Sequence, residues 1–326
     1  MNDIKQDSLQ QDSGAIDLTL VVPAFNEQEN VIPFYEETVR VFSEEDIRYQ
    51  IVFVDDGSSD NTLDQMKTVA ALPDKPCRVS IVPFSRNFGK EAALYAGMEH
   101  AAGQVISFID ADLQQQPATL LLMYKELLGH PEYDCVAAYQ ENRRDKGLRS
   151  WLSGQFYKAL EGSSHMEVIA DASDFRVFKH EVAQALLNMP EYHRFSKGLF
   201  AWVGFKTLPY PYTPDERNAG ETSWSLKKLF KYALGGLISF TTLPLKAAIW
   251  IGGITSGIAL LYLIVVVFQR LLFGVDVPGY ATIVVLILLF GGLQLLFLGI
   301  LGIYLGRDYE QGKHRPIYIS RNIIDS

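Results

Sequence analysis

Two uncharged apolar stretches, residues 247–268 and 280–305, dominate the C-terminal third of the chain. Each is long enough for a helix to cross a bilayer, which takes ~20 apolar residues. Helices apolar on every face are rare in soluble folds, so the stretches read as two transmembrane helices; the competing reading is a pair of buried core helices. Lys227, Lys228, Lys231 and Lys246 precede the first stretch, and Arg307, Lys313, His314, Arg315 and Arg321 follow the second. Between them stand only Arg270 and Asp276. Positive charge marks the cytoplasmic flank, so both termini and everything before the first stretch are expected in the cytosol, with a multi-pass anchor in the cytoplasmic membrane.

Ahead of the anchor there is room for one domain of about 230 residues. Its β-rich apolar runs are 18–25, 49–55, 78–84, 104–109 and 134–139, and helical patterns lie between them at 27–42, 60–72, 90–102 and 118–128. Strands alternating with helices predict βαβ units and a mainly parallel sheet. Residues 1–16 are polar and lack the apolar core of a signal peptide, so they read as a flexible leader. The α/β domain then spans 17–223. A segment at 224–245 carries Leu226, Leu229, Phe230, Ala233, Leu234 and Leu237 at helical spacing, opposite lysines. Such a helix lies at a membrane surface or packs on the domain with a solvated lysine face. The two membrane helices fill 246–306, and 307–326 form a cytosolic tail. A net charge of −9 argues against a nucleic-acid partner. Cys77 and Cys135 lack metal-ligand spacing and read as reduced thiols.

Ligands on parallel sheets bind beyond the carboxyl ends of the strands, which directs attention to the residues there. Asp110-Ala111-Asp112 follows the fourth run. Strand side chains at i and i+2 face the same way, so two carboxylates converge and need a compensating cation. Mg²⁺ or Mn²⁺ suits hard oxygen ligands, with phosphates completing the shell; Gln114 is placed to add a ligand oxygen or hold a water. The bland reading of such a triplet is a turn or a helix cap. After the second run, Asp55-Asp56-Gly57-Ser58-Ser59-Asp60 offers Asp55 and Asp56 to a base or ribose, with Asp60 as a helix cap. Pro23-Ala24-Phe25-Asn26-Glu27 closes the first run, where Asn26 and Glu29 also resemble a capping box. Ser85-Arg86-Asn87-Phe88-Gly89-Lys90 brings cations to the third strand end, as phosphate requires.

These motifs, with G-L-F-A-W-V-G-F further on, resemble glycosyltransferase family 2 in their identity and order. The resemblance runs from about Asp17 to Arg315 and is narrowest to bacterial polyprenyl-phosphate (bactoprenol) glycosyltransferases, relatives of dolichol-phosphate mannose synthase. It implies a GT-A, Rossmann-like domain in which Pro23, Asn26, Glu27 and Asp56 line a nucleoside pocket, with Asp55 nearby. It likewise implies that Asp110, Asp112 and Gln114 hold the metal on the donor diphosphate. In Ala172-Ser173-Asp174-Phe175-Arg176, the family has Gly or Asp before Phe-Arg, and Arg176 would face the reacting centre. Arg217 matches a late arginine approaching the diphosphate. For Arg176 and Arg217 a scaffold ion pair stands as the other reading. Of the cations Arg143, Arg144, Lys146 and Arg149, the resemblance points to Arg144 and Arg149 for the acceptor phosphate, where the plain alternative is a solvated face.

The implied reaction moves one hexose from a nucleotide sugar, UDP-glucose first among donors, to undecaprenyl phosphate with inversion. A phosphate monoester is mostly ionised near neutral pH, its second pKa being about 6. It can therefore attack without a strong base. The departing nucleoside diphosphate needs a cation, supplied by the metal with Lys90 and Arg217. GDP-mannose or a modified UDP-sugar is the alternative donor. A catalytically inactive, membrane-tethered binding subunit is the rival from another class, and a processive polysaccharide synthase would carry Q-x-x-R-W, which is absent from this chain. The G-x-x-x-G pairs Gly253/Gly257 and Gly302/Gly306 are expected to pack the two spans or to build a homo-oligomer.

Overall fold

A computed structural model describes residues 15–140, 172–213, 243–273 and 279–326. The elements are β1 Leu18–Ala24, α1 Val31–Phe42, β2 Tyr49–Asp55, α2 Thr62–Ala70, β3 Arg78–Pro83, α3 Lys90–Glu99, β4 Val105–Phe108, α4 Pro117–Gly129, β5 Cys135–Gln140, β6 Ala172–Lys179, α5 His180–Leu187, α6 Ser196–Trp202, β7 Thr207–Tyr212, α7 Leu243–Phe273, α8 Tyr280–Gly312 and β8 Ile324–Asp325. Eight strands form one sheet in the order β7-β5-β6-β4-β1-β2-β3-β8. β1 pairs in parallel with β2 and β4, β2 with β3, and β5 with β7, whereas β6 and β8 run antiparallel to their neighbours. The expected α/β architecture with a mainly parallel sheet is therefore present.

The strands are apolar on both faces because helices cover both. In β2 every residue is buried. Ile51 and Phe53 join Leu20, Val22, Phe34, Met66 and Leu120 in the core under α1, α2 and α4. Val52 and Val54 point the other way, onto Ala92, Ala93 and Ala96 of α3. Small residues on α3 bring that helix close to the sheet. A Cβ at Gly97 would overlap Val21 Cγ1. Polar side chains buried within neighbouring strands pair with one another: Thr19 Oγ1 donates to Gln50 Oε1 at 2.9 Å, and Gln50 Nε2 donates to Ser80 Oγ at 3.0 Å. Cys77 and Cys135 are buried and free.

The structure corrects one local expectation and adds detail to two others. α1 begins at Val31 rather than Glu27, because Asn26 adopts φ 57° and reaches across to the β2–α2 loop instead of capping a helix with Glu29. The tail does more than trail away: Pro316–Ser326 belongs to the same compact unit as the sheet and supplies its edge strand β8. No described atom lies within 4 Å of the Cβ direction at Gly253, Gly257, Gly302 or Gly306, whereas Gly252 meets Phe297 at 3.6 Å.

The α7–α8 pair falls within a second compact unit. Leu245–Phe268 has a mean hydropathy of 2.4 and Leu289–Gly312 one of 1.9, each over 24 residues, long and apolar enough to cross a membrane. The amphipathic segment around Leu226–Leu237 lies outside the described residues.

The tight seat of α3 gives a signed prediction. Alanine at position 97 gains up to ~1 kcal/mol of helix propensity over glycine, but overpacking a filled core costs ~1–3 kcal/mol. Gly97→Ala is expected to lower the thermal unfolding midpoint of the full-length protein, which scanning calorimetry in detergent would register; an unchanged or raised midpoint would contradict the packing.

Candidate active site

The carboxyl ends of β1, β2, β3 and β4 lie along one margin of the sheet, and their loops carry the chemistry. Ladder bonds continue past the strands: the Asp56 amide donates to Ala24 O, and the Phe84 amide to Asp55 O, each at 2.9 Å. Asp55 and Asp56 are thereby drawn into the domain, 2% and 3% exposed. Asp55 Oδ1 accepts from the Ser58 amide at 3.0 Å, closing the turn through Gly57. Gly57 has φ 69°, and a Cβ there would overlap the main chain of Arg86. Two loops, after β2 and after β3, thus touch backbone to backbone.

Asp56 fastens that contact. Its carboxylate accepts from the Phe88 amide at 2.6 Å and from the Gly89 amide at 2.9 and 3.1 Å. Burial raises its pKa, and these two amides oppose the rise. Asn26 braces the other side: its Oδ1 accepts from the Ser59 amide at 2.9 Å, and its own amide donates to Ser58 Oγ at 3.0 Å. The Glu27 amide donates to Thr62 Oγ1 at 2.8 Å, and Glu27 Oε2 accepts from Asn30 Nδ2 at 2.5 Å. Asp60 accepts from the Thr62 amide at 3.0 Å, a local turn at the start of α2. Pro23 sits in β1 opposite Val54 of β2. Pro23, Asn26, Glu27, Asp55 and Asp56 are therefore brought together by the β1 and β2 exits.

The Asp110-x-Asp112 segment lies beyond β4 in irregular backbone, with Leu113 at φ 60°. Strand alternation therefore does not set its geometry, as the i, i+2 argument assumed; hydrogen bonds do. The Asp110 amide donates to Gln115 Oε1 at 3.0 Å, and Asp112 Oδ1 accepts from the Gln114 amide at 3.2 Å. Asp112 is 5% exposed. Gln115, next to the expected Gln114, is the glutamine whose side chain touches Asp110, with Nε2 donating to Oδ2 at 3.4 Å.

Lys90, the first residue of α3, is the cation at the centre. Its Nζ donates to both oxygens of Asp110, at 2.6 and 2.9 Å, and stands 3.8 Å from Asp174 Oδ2. Desolvation would lower the pKa of this ammonium, but the charges of Asp110, Asp174 and Asp112 outweigh it and hold it above the usual lysine value. At Asp174 the balance is the mirror image. Burial favours the neutral acid, yet Lys90, Lys197 and Arg176 prevail and keep the carboxyl below its ordinary pKa. Asp174 arrives through the antiparallel pairing of β6 with β4. Phe108 faces Arg176 at the end of that ladder, and two residues earlier in β6 Asp174 comes within ion-pair range of Lys90. Arg176 itself is buried; its Nε donates to Ser173 O at 3.2 Å and its guanidinium lies 4.5 Å from the Phe200 ring centroid.

Two further residues belong to this neighbourhood. Glu91 accepts from the Ser196 amide at 3.0 and 3.1 Å and from its hydroxyl, tying the N-terminus of α6 to that of α3. Lys197 follows directly and adds positive charge near Asp174. Glu91 closes the S-R-N-F-G-K-E motif and could have been found there; nothing local marks Lys197. Arg144, Arg149 and Arg217 lie outside the described residues.

The site thus sets two aspartate pairs beyond the carboxyl ends of a mainly parallel sheet, where the ligands of such sheets bind. The sequence pattern of "Glycosyl transferase family 2" matches residues 19–187, and the chain belongs to that family. It is 40% identical over 304 residues to CsbB of Bacillus subtilis, named as a glycosyltransferase, covering 93% of this chain and 90% of that protein. It is 39% identical over 309 residues to the bactoprenol glucosyl transferase of Shigella phage SfV, covering 94% and 98%. Among solved structures, mannosyl-3-phosphoglycerate synthase from Rubrobacter xylanophilus superposes with a TM-score of 0.46 at 16% identity, covering 68% of this chain and 72% of that one.

Asp56 provides the test of this geometry. Asp56→Ala strips the acceptor from the Phe88 and Gly89 amides, and losing buried hydrogen-bond partners costs ~1–3 kcal/mol. Denaturant titration should show that loss, and Asp56→Asn, which keeps one acceptor oxygen, should lose less than Asp56→Ala.

Proposed function

We propose that the chain transfers a single hexose from a nucleotide sugar, UDP-glucose first among donors, to undecaprenyl phosphate, inverting the anomeric centre. The observation that carries this reading is the convergence of Asp110, Asp112 and Asp174 around Lys90 at the sheet margin. It is a site built to handle concentrated charge, and it adjoins the β1 and β2 exits whose Asn26, Asp55 and Asp56 are assigned to the donor nucleoside. The acceptor class is supported by the likeness to the phage bactoprenol glucosyl transferase over nearly the whole of both chains.

The residues fit a divalent ion. Asp110 already presents both oxygens as a fork to a cation, at 2.6 and 2.9 Å from the ammonium, and hard carboxylate oxygens suit Mg²⁺ or Mn²⁺. Among the described residues no group of three or more His, Cys, Asp or Glu is gathered for a metal, so the protein would offer Asp110 and Asp112, with Gln114 alongside, and leave positions for diphosphate oxygens. Bound there, the ion supplies positive charge to the leaving nucleoside diphosphate. Lys90 is poised to pass from Asp110 to the same phosphates, with Arg217 as its assigned companion. Asp174, held ionised, orients the acceptor or stabilises positive charge on the sugar. No strong base is required, because the attacking phosphate is already an anion. Arg176, whose charge reaches Asp174, is assigned to the reacting centre, and Arg144 and Arg149 are assigned to the acceptor phosphate.

A lipid acceptor requires the domain to work at the cytoplasmic membrane, and α7 and α8 have the length and apolarity to anchor it. Sheet residues precede α7 and follow α8, so a chain crossing twice keeps both flanks in one compartment. Positive charge on those flanks makes it the cytosol. A homo-oligomer is compatible with the outward-facing glycines of the helices.

The test offers purified full-length protein a panel of nucleotide sugars with undecaprenyl phosphate and Mg²⁺ or Mn²⁺, and follows lipid-linked hexose. UDP-glucose is expected to react fastest, chelator to stop the reaction, and Asp110→Ala to lower the rate by about 10²-fold or more while the protein still unfolds cooperatively. Undiminished product with chelator present and both Asp110 and Asp112 neutralised would refute the reading.

A further inference from the structure

The tail beyond α8 runs antiparallel alongside β3. At one end the Val79 and Ser326 amides and carbonyls exchange hydrogen bonds of 2.9 Å, and β8 pairs Ile324 with Ile81. Covering the edge of β3 would need no more than this. The tail, however, is also bonded along the rest of β3 and beyond its end: the Arg321 amide donates to Pro83 O at 2.7 Å, and the Ser85 amide donates to Ile319 O at 2.8 Å. There Tyr318 stacks on Phe84, with centroids 4.8 Å apart and planes 22° from parallel. Its hydroxyl donates to Glu99 Oε2 at 2.7 Å, so the ring is held from both ends. Phe84 in turn meets Phe88 edge-on at 5.7 Å. Phe88 and Gly89 are the residues whose amides seat Asp56, and Lys90 follows them.

From this unbroken set of contacts we propose that Tyr318 is a positioning residue for the donor site: through Phe84 and Phe88 it fixes the loop that joins Asp56 to Lys90. The claim rests on the donor role assigned above to Asp56 and Lys90. It gives the residues after α8 a part in the reaction although none of them touches the reacting atoms. A loop whose backbone must hold Asp56 and aim Lys90 at once has little tolerance for drift, and its own sequence, Ser85-Arg86-Asn87-Phe88-Gly89, has one large apolar side chain to anchor it. Phe88 and Tyr318 both pack on the cluster that contains Phe84, so Tyr318 reaches that anchor through the Phe84 ring.

The experiment compares full-length wild type, Tyr318→Ala and Tyr318→Phe in detergent, by amide hydrogen exchange and by transfer kinetics with UDP-glucose as the probe. In Tyr318→Ala the Phe88 and Gly89 amides are expected to exchange about tenfold faster, the factor that ~1.4 kcal/mol represents, while the buried β1 amides keep their protection. KM for UDP-glucose should rise by a similar factor, with kcat changed less. Tyr318→Phe, which keeps the stacked ring, should stay close to wild type in both readouts. Unaltered exchange at Phe88 and Gly89, or acceleration equal to that in β1, would overturn the proposal, and so would faster exchange with an unaltered KM. Should wild type itself fail to use any nucleotide sugar, the proposed reaction falls, and the exchange comparison still decides whether Tyr318 fixes the loop.

Discussion

Carboxylates crowd one margin of the sheet, and their mutual repulsion is the constraint around which this domain is arranged. Asp110 and Asp174 both stand within ion-pair range of the Lys90 ammonium, which also feels the charge of Asp112, and two charges ~4 Å apart interact by ~4 kcal/mol at an effective dielectric of 20. Lys90 is the answer within the chain: its ammonium donates to both oxygens of Asp110 and lies within ion-pair range of Asp174. The position of Lys90 is consequently not free. It is the first residue of α3, so the seat of that helix on the sheet, made close by Ala92, Ala93, Ala96 and Gly97, sets where the ammonium stands. Packing deep in the domain and charge at its margin are thus two ends of one helix.

What the sequence made legible follows from periodicity and local chemistry. The five apolar runs become β1 to β5 within a residue or two, since buried parallel strands are apolar on both faces and read as unbroken blocks. Asp55, Asp56 and Asp110 were visible because strand exits in an α/β order are where ligands gather. The family likeness added Asp174 and Arg176, which periodicity did not mark as strand residues. Asp60 fell to structural duty, as its place ahead of a helix implied.

The remainder was hidden for one physical reason, that it depends on pairings between distant parts of the chain. β6 brings Asp174 to Asp110 by an antiparallel register with β4, and no local pattern around Asp174 encodes that partner. The same holds for Lys197 and Ser196, which reach the site only because Glu91 ties α6 to α3. Asn26 looked like a helix cap, yet φ 57° turns it toward Ser58 and Ser59 on the next loop. The two-residue β8 is too short for any periodicity to show. Lys90 was assigned to phosphate from the motif; the structure adds that it is first a counter-ion to Asp110.

Asp56 and Asp110 are both aspartates at strand exits, but their surroundings give them opposite tasks. Asp56 is almost wholly buried, and both of its oxygens are engaged by amides from a neighbouring loop. A carboxylate so engaged has little left to offer a metal, and its work is to hold two loops at a fixed separation. Asp110 has a side chain one-third exposed, and it holds a mobile ammonium rather than fixed backbone. That partner can move along its own flexible stem without disturbing the fold, whereas the amides on Asp56 cannot leave without opening the Phe88 turn. Exchange of one cation for another is therefore possible at Asp110 and forbidden at Asp56. This difference, written in the hydrogen-bond partners rather than in the residue type, gives the two aspartates separate tasks at one site.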